Sequence, residues 1–320
     1  MGLLTLPSSR SFGEILKSPK IVVIGAGIIG TMIAYELVKK GADVKIIDKE
    51  FPASGASGHS FSWINATYPK KPYEYNLLSQ LGIDAYKSLE TEFNFDIRWN
   101  GSLEWFENDS QQEELFSEIN AIREYPTYTP VEIISFSQAQ RMEPNTNFGD
   151  RKQIVHSLSD GAIDTIHAIQ LIQGEFERLG GESIFPCEFL KLNQRNGRLK
   201  SIDTNQGTIE ADYAIFACGI DTDKNLGLNT LSTPTPGIIL RSKPVESLFN
   251  KIIVGPGVHI HQQKNGAIIL GEQDGAPLNH FDRLKKRPNK FPSKEFEELH
   301  TERIMATAKN FTNGLESIEI

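Results

Sequence analysis

The sequence predicts an α/β fold, and three features of its patterning predict it. Residues 21–48 read as strand, glycine-rich turn, helix and strand. Three β-rich segments joined by polar, glycine-containing turns follow between residues 188 and 216, and from Gly237 onward strands dominate. Together they describe a parallel sheet with helices, a small antiparallel meander inserted into it, and a further mixed-sheet α+β part. The 320 residues exceed the usual size of one compact domain, which favours two domains or one large α/β domain with an inserted layer. Hydrophobic residues at 39% and charged residues at 23% lie near globular averages and argue against disordered, coiled-coil and membrane classes.

Each element has its own reason. Residues 21–24 are a β-branched run ended by glycine, the pattern of a fully buried strand. Residues 31–40 have helical spacing, with Ile33 and Leu37 set against Lys39 and Lys40, and Gly41 ends the helix. Residues 44–47 form the next buried strand, and a helical crossover between the two strands makes them parallel. Residues 73–93 carry helical periodicity with charges on one face. Residues 97–98 and 103–105 flank Asn100-Gly101, a dipeptide favoured at tight turns, so a hairpin is expected there. Residues 111–124 read as a helix, 131–135 as a strand, 137–140 as a short capped helix ending before Pro144, and 163–179 as a helix.

The β-rich segments are 188–192, 199–204 and 208–216. The turns between them, Arg195-Asn196-Gly197 and Asn205-Gln206-Gly207, suit antiparallel hairpins and hence a three-stranded meander. Further on, residues 238–242, 258–262 and 267–270 read as strands, the last two joined through Asn265-Gly266. A helix from about 293 to 310 follows.

Charge and cysteine content narrow the function classes. A formal net charge of −8 offers no footprint for a polyanion, and the one basic run, Arg283-Leu284-Lys285-Lys286-Arg287, reads as a solvated loop, so no nucleic-acid partner is expected. Cys187 and Cys218 lie far apart, with neither a disulfide framework nor metal-ligand spacing, which fits a reducing cytoplasm. Residues 1–20 hold a short apolar patch without a signal-peptide pattern. The longest apolar stretch, residues 21–29, is interrupted by glycine and falls far short of the roughly 20 residues of a membrane span, so no transmembrane segment is expected.

The sharpest motif is Gly25-Ala26-Gly27-Ile28-Ile29-Gly30, placed after a strand and opening a helix. Gly25 permits the tight turn out of the strand, Gly27 lets backbone approach a pyrophosphate, and Gly30 allows close packing of helix on strand. The helix N-terminus then offers N–H groups and a positive dipole end to phosphates. Asp48 ends the second strand, where a carboxylate can accept hydrogen bonds from both hydroxyls of an adenosine ribose and disfavours a 2′-phosphate. The fingerprint alone does not separate FAD from NAD, and a purely structural glycine turn is the bland alternative.

Four stretches carry a resemblance to a known family. They are the fingerprint with Asp48 and its neighbour Lys49; Ala53-Ser54-Gly55-Ala56-Ser57-Gly58-His59-Ser60; Phe189 with Leu190; and Ala217-Cys218-Gly219-Ile220-Asp221. Over about residues 20–275 the chain resembles the D-amino-acid oxidase superfamily of FAD-dependent oxidoreductases, which includes glycine and sarcosine oxidases and D-amino-acid dehydrogenases. The resemblance implies a two-dinucleotide-fold (Rossmann-like) FAD domain in which the meander replaces a plain crossover. It also implies that Gly55, Ala56, Ser57, His59 and Ser60 lie along the flavin, that backbone at Phe189 brackets the adenine, and that Ala217 and Gly219 close on the pyrophosphate side. The expected division is an FAD-binding domain from residues 20–95 and 150–227 and a substrate domain from residues 96–149 and 228–320.

The chemistry implied is hydride transfer to the flavin from a carbon bearing an amine, with the imine hydrolysed afterwards and a small amine or amino acid as substrate. No side-chain base is obligatory if the amine binds neutral, and no catalytic residue is assigned. Relatives continue past residue 320 with a segment carrying an arginine that commonly holds a substrate carboxylate, so a truncated, non-catalytic dinucleotide-binding remnant is a further reading, beside an NAD-dependent dehydrogenase. His59 stands where relatives with a tethered flavin carry the bonded histidine, and hydrogen bonding or simple exposure are the alternatives. Arg98 and Arg241 are candidate carboxylate holders or ordinary arginines. His259 and His261 alternate on a strand and so share a face, as a sheet wall rather than a metal site since no third ligand is evident. Cys218 reads as a small buried residue rather than a redox group.

Overall fold

A computed structural model describes residues 18–67, 70–127, 129–228, 237–272 and 293–320. The N-terminal apolar patch and the basic run at 283–287 lie outside the described residues. The described residues divide into two compact units, one falling within 1–51 and 173–218, the other within 52–172 and 219–320.

The first unit is built around β1 (Lys20–Ile24), α1 (Ile28–Lys39) and β2 (Asp43–Ile47). Within the second unit the chain forms β3 (Trp63–Ile64), α2 (Tyr73–Phe93), β4 (Ser102–Glu104), α3 (Asp109–Arg123), β5 (Val131–Ser135), α4 (Phe136–Met142), β6 (Gln153–Ser157) and β7 (Gly161–Ala162). It re-enters the first unit along α5 (Thr165–Arg178) and adds β8 (Glu182–Ile184), β9 (Phe189–Arg195), β10 (Arg198–Thr204), β11 (Gly207–Glu210) and β12 (Tyr213–Phe216). The second unit then resumes with α6 (Asp221–Asn225), β13 (Ile239–Arg241), β14 (Ile252–Gly255), β15 (Val258–Gln262), β16 (Ile268–Glu272) and a C-terminal helix, Lys294–Lys309.

In the first unit β12, β1, β2 and β8 form a parallel sheet in that order, and β11, β10 and β9 form the antiparallel meander. The two layers bury Val22, Ile24, Ile47, Cys187 and Ile202 against each other, with Phe189 and Phe216 meeting edge to face at 5.0 Å. The segment expected as one strand over 208–216 is two. Around Ala211-Asp212 the chain leaves the meander, the Asp212 N–H donates to the Lys20 carbonyl at 2.8 Å, and β12 joins β1 in parallel.

In the second unit seven strands follow the order β13-β16-β15-β14-β4-β6-β5, antiparallel throughout except where β14 lies parallel to β4. One sheet face packs Leu103, Ile253, Ile260, Ile268 and Leu270 with Trp105, Phe148 and the C-terminal helix residues Ile304 and Ala308. α4 starts at a full capping box, Ser135 with Gln138, as its sequence suggests. The hairpin expected at Asn100-Gly101 does not form. Gly101 turns at φ +76°, but its N–H donates to the Asp160 carbonyl at 3.0 Å, Arg98 bridges to Ala162, and β4 pairs with β6 and β14 instead. Long-range partners outbid the local turn.

Candidate functional site

The first unit carries a cradle made of backbone. Leaving β1, Gly25 turns at φ +112° and its N–H donates to the Ile47 carbonyl at 2.8 Å, which ties the turn to β2. A Cβ on Gly25 would stand 2.3 Å from the Ala217 carbonyl oxygen, and one on Gly30 would stand 1.9 Å from the Gly25 oxygen and 3.2 Å from the Ala217 Cβ. Neither position tolerates a side chain, because backbone cannot yield as a flexible side-chain end can. Turn, helix and the end of β12 therefore close on one another. Gly27 caps α1 in an extended conformation and, as a glycine, supplies no side-chain cap of its own; a helix N-terminus is the end that suits a phosphate.

Asp48 stands at the mouth of the turn. One carboxylate oxygen accepts from the Ala26 N–H at 2.8 Å and the other from the Glu50 N–H at 3.0 Å. Each oxygen has a further lone pair for a ligand hydroxyl, so the residue can shape the turn and hold a ribose together. Ala26 is buried, Gly27 and Ile28 half-buried, and Lys49 exposed. Ala217 bonds back to β1 through its N–H and the Ile24 carbonyl at 2.8 Å. Phe189 opens β9 with its ring in the interlayer core. A cleft of about 430 Å³ also opens in this unit, at the strands' other ends, but Lys20 pairs there with Glu210 and Lys45 with Glu182. Cations already neutralised in this way are poor phosphate ligands, and the glycine turn is the better site.

In the second unit, residues 52–59 run as consecutive turns, with Gly55 and Ser57 half-buried and Ala56, His59 and Ser60 exposed. Ala53 is left-handed at φ +64°, and a Cβ on Gly58 would stand 2.2 Å from its carbonyl oxygen. The His59 Nδ1 lies 2.9 Å from the Gly55 carbonyl. Gly219, at φ +56°, precedes α6 and is exposed.

The second face of the seven-stranded sheet holds the histidine pair of β15 together with groups the sequence did not announce. Across β13, β16, β15, β14 and β4, one row of paired residues reads Ile239, Gly271, His259, Val254 and Glu104. His261 lies two residues along from His259 on this face. The predicted sharing of a face thus holds, and among the described residues no group of three potential ligands forms a metal site. Phe61 covers the histidines, its ring centroid 5.6 Å from His259 and 4.7 Å from His261, and Trp63 meets His259 at 5.7 Å, all edge to face. Buried His261 lies 2.6 Å through Nε2 from the Phe61 carbonyl, and burial, above all, lowers its pKa to about 4.

Two buried carboxyls sit near this face. Asp160 accepts from Trp63 Nε1 at 2.9 Å, Thr67 Oγ1 at 2.9 Å and Ser102 Oγ at 2.7 Å. Burial raises its pKa to about 6 against the lowering effect of those donors. Glu104 rises to about 8, through burial first and then the neighbouring charge of Asp160. Neither acid was singled out from the sequence, because a lone acid in a polar loop or strand reads as solvated. Their clustering depends on contacts 58 and 97 residues apart.

The candidate arginines are engaged within the protein. Arg98 donates to the carbonyls of Gln262 at 2.6 Å and Phe249 at 2.9 Å, and Arg241 pairs with Asp164 at 3.2 Å. Cys218 donates its thiol to the Ile24 carbonyl at 3.1 Å, as a packed residue does.

A glycine turn closed by β12, a helix N-terminus and an acid at the end of β2 define a dinucleotide-binding α/β protein. Residues 20–319 match the family model of the FAD dependent oxidoreductases. The chain belongs to that family, and it is an FAD-dependent oxidoreductase. It is 23% identical over 270 residues to a glycine oxidase of Pseudomonas putida, covering 79% of this chain and 70% of the relative. To a D-amino acid dehydrogenase of Rhodopseudomonas palustris it is 22% identical over 259 residues, covering 62% and 60%. Among solved structures, glycine oxidase from Geobacillus kaustophilus superposes with a TM-score of 0.78 at 16% identity, over 94% of this chain and 80% of the other. L-proline dehydrogenase from P. horikoshii gives 0.75 at 20%, over 92% and 79%. At these identities the solved structures speak to the fold. Among the described residues no helix is long and apolar enough to cross a membrane.

Proposed function

We propose that the chain oxidises the C–N bond of a small amine or amino acid. The observation that carries the cofactor side is the steric closure of Gly25 and Gly30 on backbone, with Asp48 on the Ala26 N–H. Gly25, Ala26, Gly27, Ile28, Gly30, Asp48 and Lys49 serve as cofactor contacts in the first unit, with Phe189 and Ala217. Gly55, Ala56, Ser57, His59, Ser60 and Gly219 serve in the second. When bound, FAD supplies a two-electron acceptor at the isoalloxazine ring.

The substrate loses a hydride from the carbon and a proton from nitrogen, and water then converts the imine to a carbonyl compound and an amine. The chain's own part is to bind and orient: the α1 N-terminus faces phosphate and Asp48 the ribose hydroxyls. His261, held neutral by burial, brings no positive charge to the sheet face. The names of the relatives, a glycine oxidase and a D-amino acid dehydrogenase, support a C–N substrate. Cys187 and Cys218 are not joined in a disulfide, which suits a cytoplasmic setting.

Anaerobic mixing of the FAD-loaded protein with glycine, sarcosine, L-proline and a panel of D-amino acids tests this reading. Bleaching of the visible flavin band by one of them, with ammonia or methylamine released or, from proline, a cyclic imine or its ring-opened amino carbonyl form produced, is the expected result. A flavin that dithionite reduces but every member of the panel leaves oxidised overturns it.

A further inference from the structure

The segment Phe61–Trp63, which leads from the turns at 52–59 into β3, is held more tightly than a two-residue β-ribbon requires. Phe61 is fixed through its carbonyl by His261 at 2.6 Å. Ser62 is fixed through its hydroxyl by Thr165 Oγ1 at 2.7 Å and through its carbonyl by the Ile163 N–H at 3.2 Å. Trp63 is fixed through its indole N–H by buried Asp160 at 2.9 Å. Three consecutive residues thus have partners on three separate parts of the second unit. Ser62, a residue with a side chain, sits at φ +59°, a conformation that persists only where the surroundings over-determine it.

The restraint extends backwards. The Ser62 N–H donates to Ser60 Oγ at 3.0 Å and its hydroxyl reaches the Ser60 carbonyl at 3.2 Å, so holding residue 62 also holds the end of the preceding turns. The Phe61 ring is seated as well. Gly271 lies beneath it, where an added Cβ would come 3.3 Å from Phe61 Cδ2 and 2.9 Å from Ile239 Cδ1.

Histidine is an odd choice for the position it occupies. The residue is 1% exposed on β15, a strand paired on both sides, where β-branched apolar residues such as Val or Ile are the usual occupants. What those side chains lack is an N–H. The Phe61 carbonyl accepts only, so Nε2 must carry the proton, and the neutral ring supplies that donor without burying a charge.

We propose that His261 is a positioning residue: through its Nε2–H bond to the Phe61 carbonyl it fixes the segment Phe61–Trp63 and thereby holds the turns at 52–60 in the conformation that binds FAD. This rests on the reading that those turns contact FAD. The role predicts a hydrogen-bond requirement rather than a size requirement. His261→Gln, which retains an N–H donor, should substitute where His261→Leu does not.

Two readouts test it on the full-length protein. The first is the ¹⁹F spectrum of the apo-protein labelled with fluorotryptophan, in which Trp63 is assigned by Trp63→Phe among the three tryptophans of the sequence. The second is FAD affinity by absorbance titration. In His261→Leu the Trp63 resonance should shift or broaden and FAD should bind about tenfold more weakly or worse, the scale set by one buried hydrogen bond. His261→Gln should recover both to within about threefold.

Thr165→Val removes only the Ser62 contact and should shift the same resonance with a smaller loss of affinity, which provides a test should His261→Leu fail to fold. An unmoved resonance, an FAD affinity unchanged in His261→Leu, or losses that Gln does not recover would each overturn the proposal. A wild-type protein that takes up no FAD, with its Trp63 resonance still dependent on His261, would instead overturn the cofactor reading.

Discussion

The glycine cradle and the aromatic strap of Phe61–Trp63 are built by opposite means. In the cradle, the geometry depends on what is missing: Gly25 and Gly30 close on carbonyl oxygens at distances no Cβ could share, and the contacts are backbone to backbone. In the strap, the geometry depends on side chains that reach across the second unit, from His261, Asp160 and Thr165 to three successive residues. A site of the first kind should break when atoms are added. A site of the second kind should break when atoms are removed, and it should feel pH because its clamps include ionisable groups.

Adding atoms gives the largest expected effect. Gly30→Val drives a branched side chain into the Gly25 oxygen, and should abolish FAD uptake and destabilise the protein by about 4 kcal/mol, at the upper end of single substitutions. FAD titration and thermal denaturation read both consequences. A variant that folds and binds FAD as the parent does would mean the turn is not the tight element described.

Removing atoms from the strap comes next. Asp160→Ala withdraws the shared acceptor of Trp63, Thr67 and Ser102 and should cost about 3 kcal/mol in denaturant unfolding, because buried donors lose their partner. Asp160→Asn, which keeps one acceptor oxygen, should cost distinctly less. Equal losses for the two variants would show that only charge matters there.

The pH dependence has a worked sign. Glu104 has its pKa raised from 4.5 to about 8 by burial, so its protonated form is the one the fold prefers. The associated stability is fully present below about pH 4.5 and is lost as pH rises through about 8. Glu143, raised to about 7, and Asp160, raised to about 6, act in the same direction. Glu104→Gln should therefore flatten the alkaline decline and stabilise the protein at pH 9 by about 2 kcal/mol, while leaving it nearly unchanged at pH 4. His261 acts oppositely: its pKa is lowered from 6.5 to about 4, so its contribution is present above about 6.5 and is lost as pH falls through about 4. His261→Gln should remove that acid limb. A Glu104→Gln variant with the parent's alkaline slope would contradict the assignment.

Smaller effects sharpen the cradle. Asp48→Asn retains one acceptor for two N–H donors, and should cost about 1 kcal/mol in stability while weakening FAD binding about tenfold. A change in stability with unaltered FAD affinity would assign Asp48 to the turn alone.

The same contrast explains what the sequence made legible. The glycine turn was readable because its requirement is local: three glycines at fixed spacing between a strand and a helix, with an acid at the end of the next strand. The meander was readable because its turn residues adjoin the strands they join. Its third strand was read too long, since the exit at Asp212 depends on a bond to Lys20, 192 residues away. Of the strap only the shared face of His259 and His261 was readable, and its contacts were not. Phe61 meets His261 across 200 residues and Trp63 meets Asp160 across 97, and nothing near Asp160 distinguishes a buried acid from a solvated one. Asn100-Gly101 shows the converse failure. A strong local turn signal lost to sheet pairing with β6 and β14.

The visible spectrum of the purified protein, before and after saturation with FAD, tests the central claim most directly when Gly30→Val is measured beside the parent. A flavin band that stays with the parent through gel filtration and is absent from a folded Gly30→Val protein is the predicted result. A parent protein that remains colourless after FAD is added, or a Gly30→Val protein that retains the band undiminished, would contradict the claim that the glycine cradle holds the cofactor.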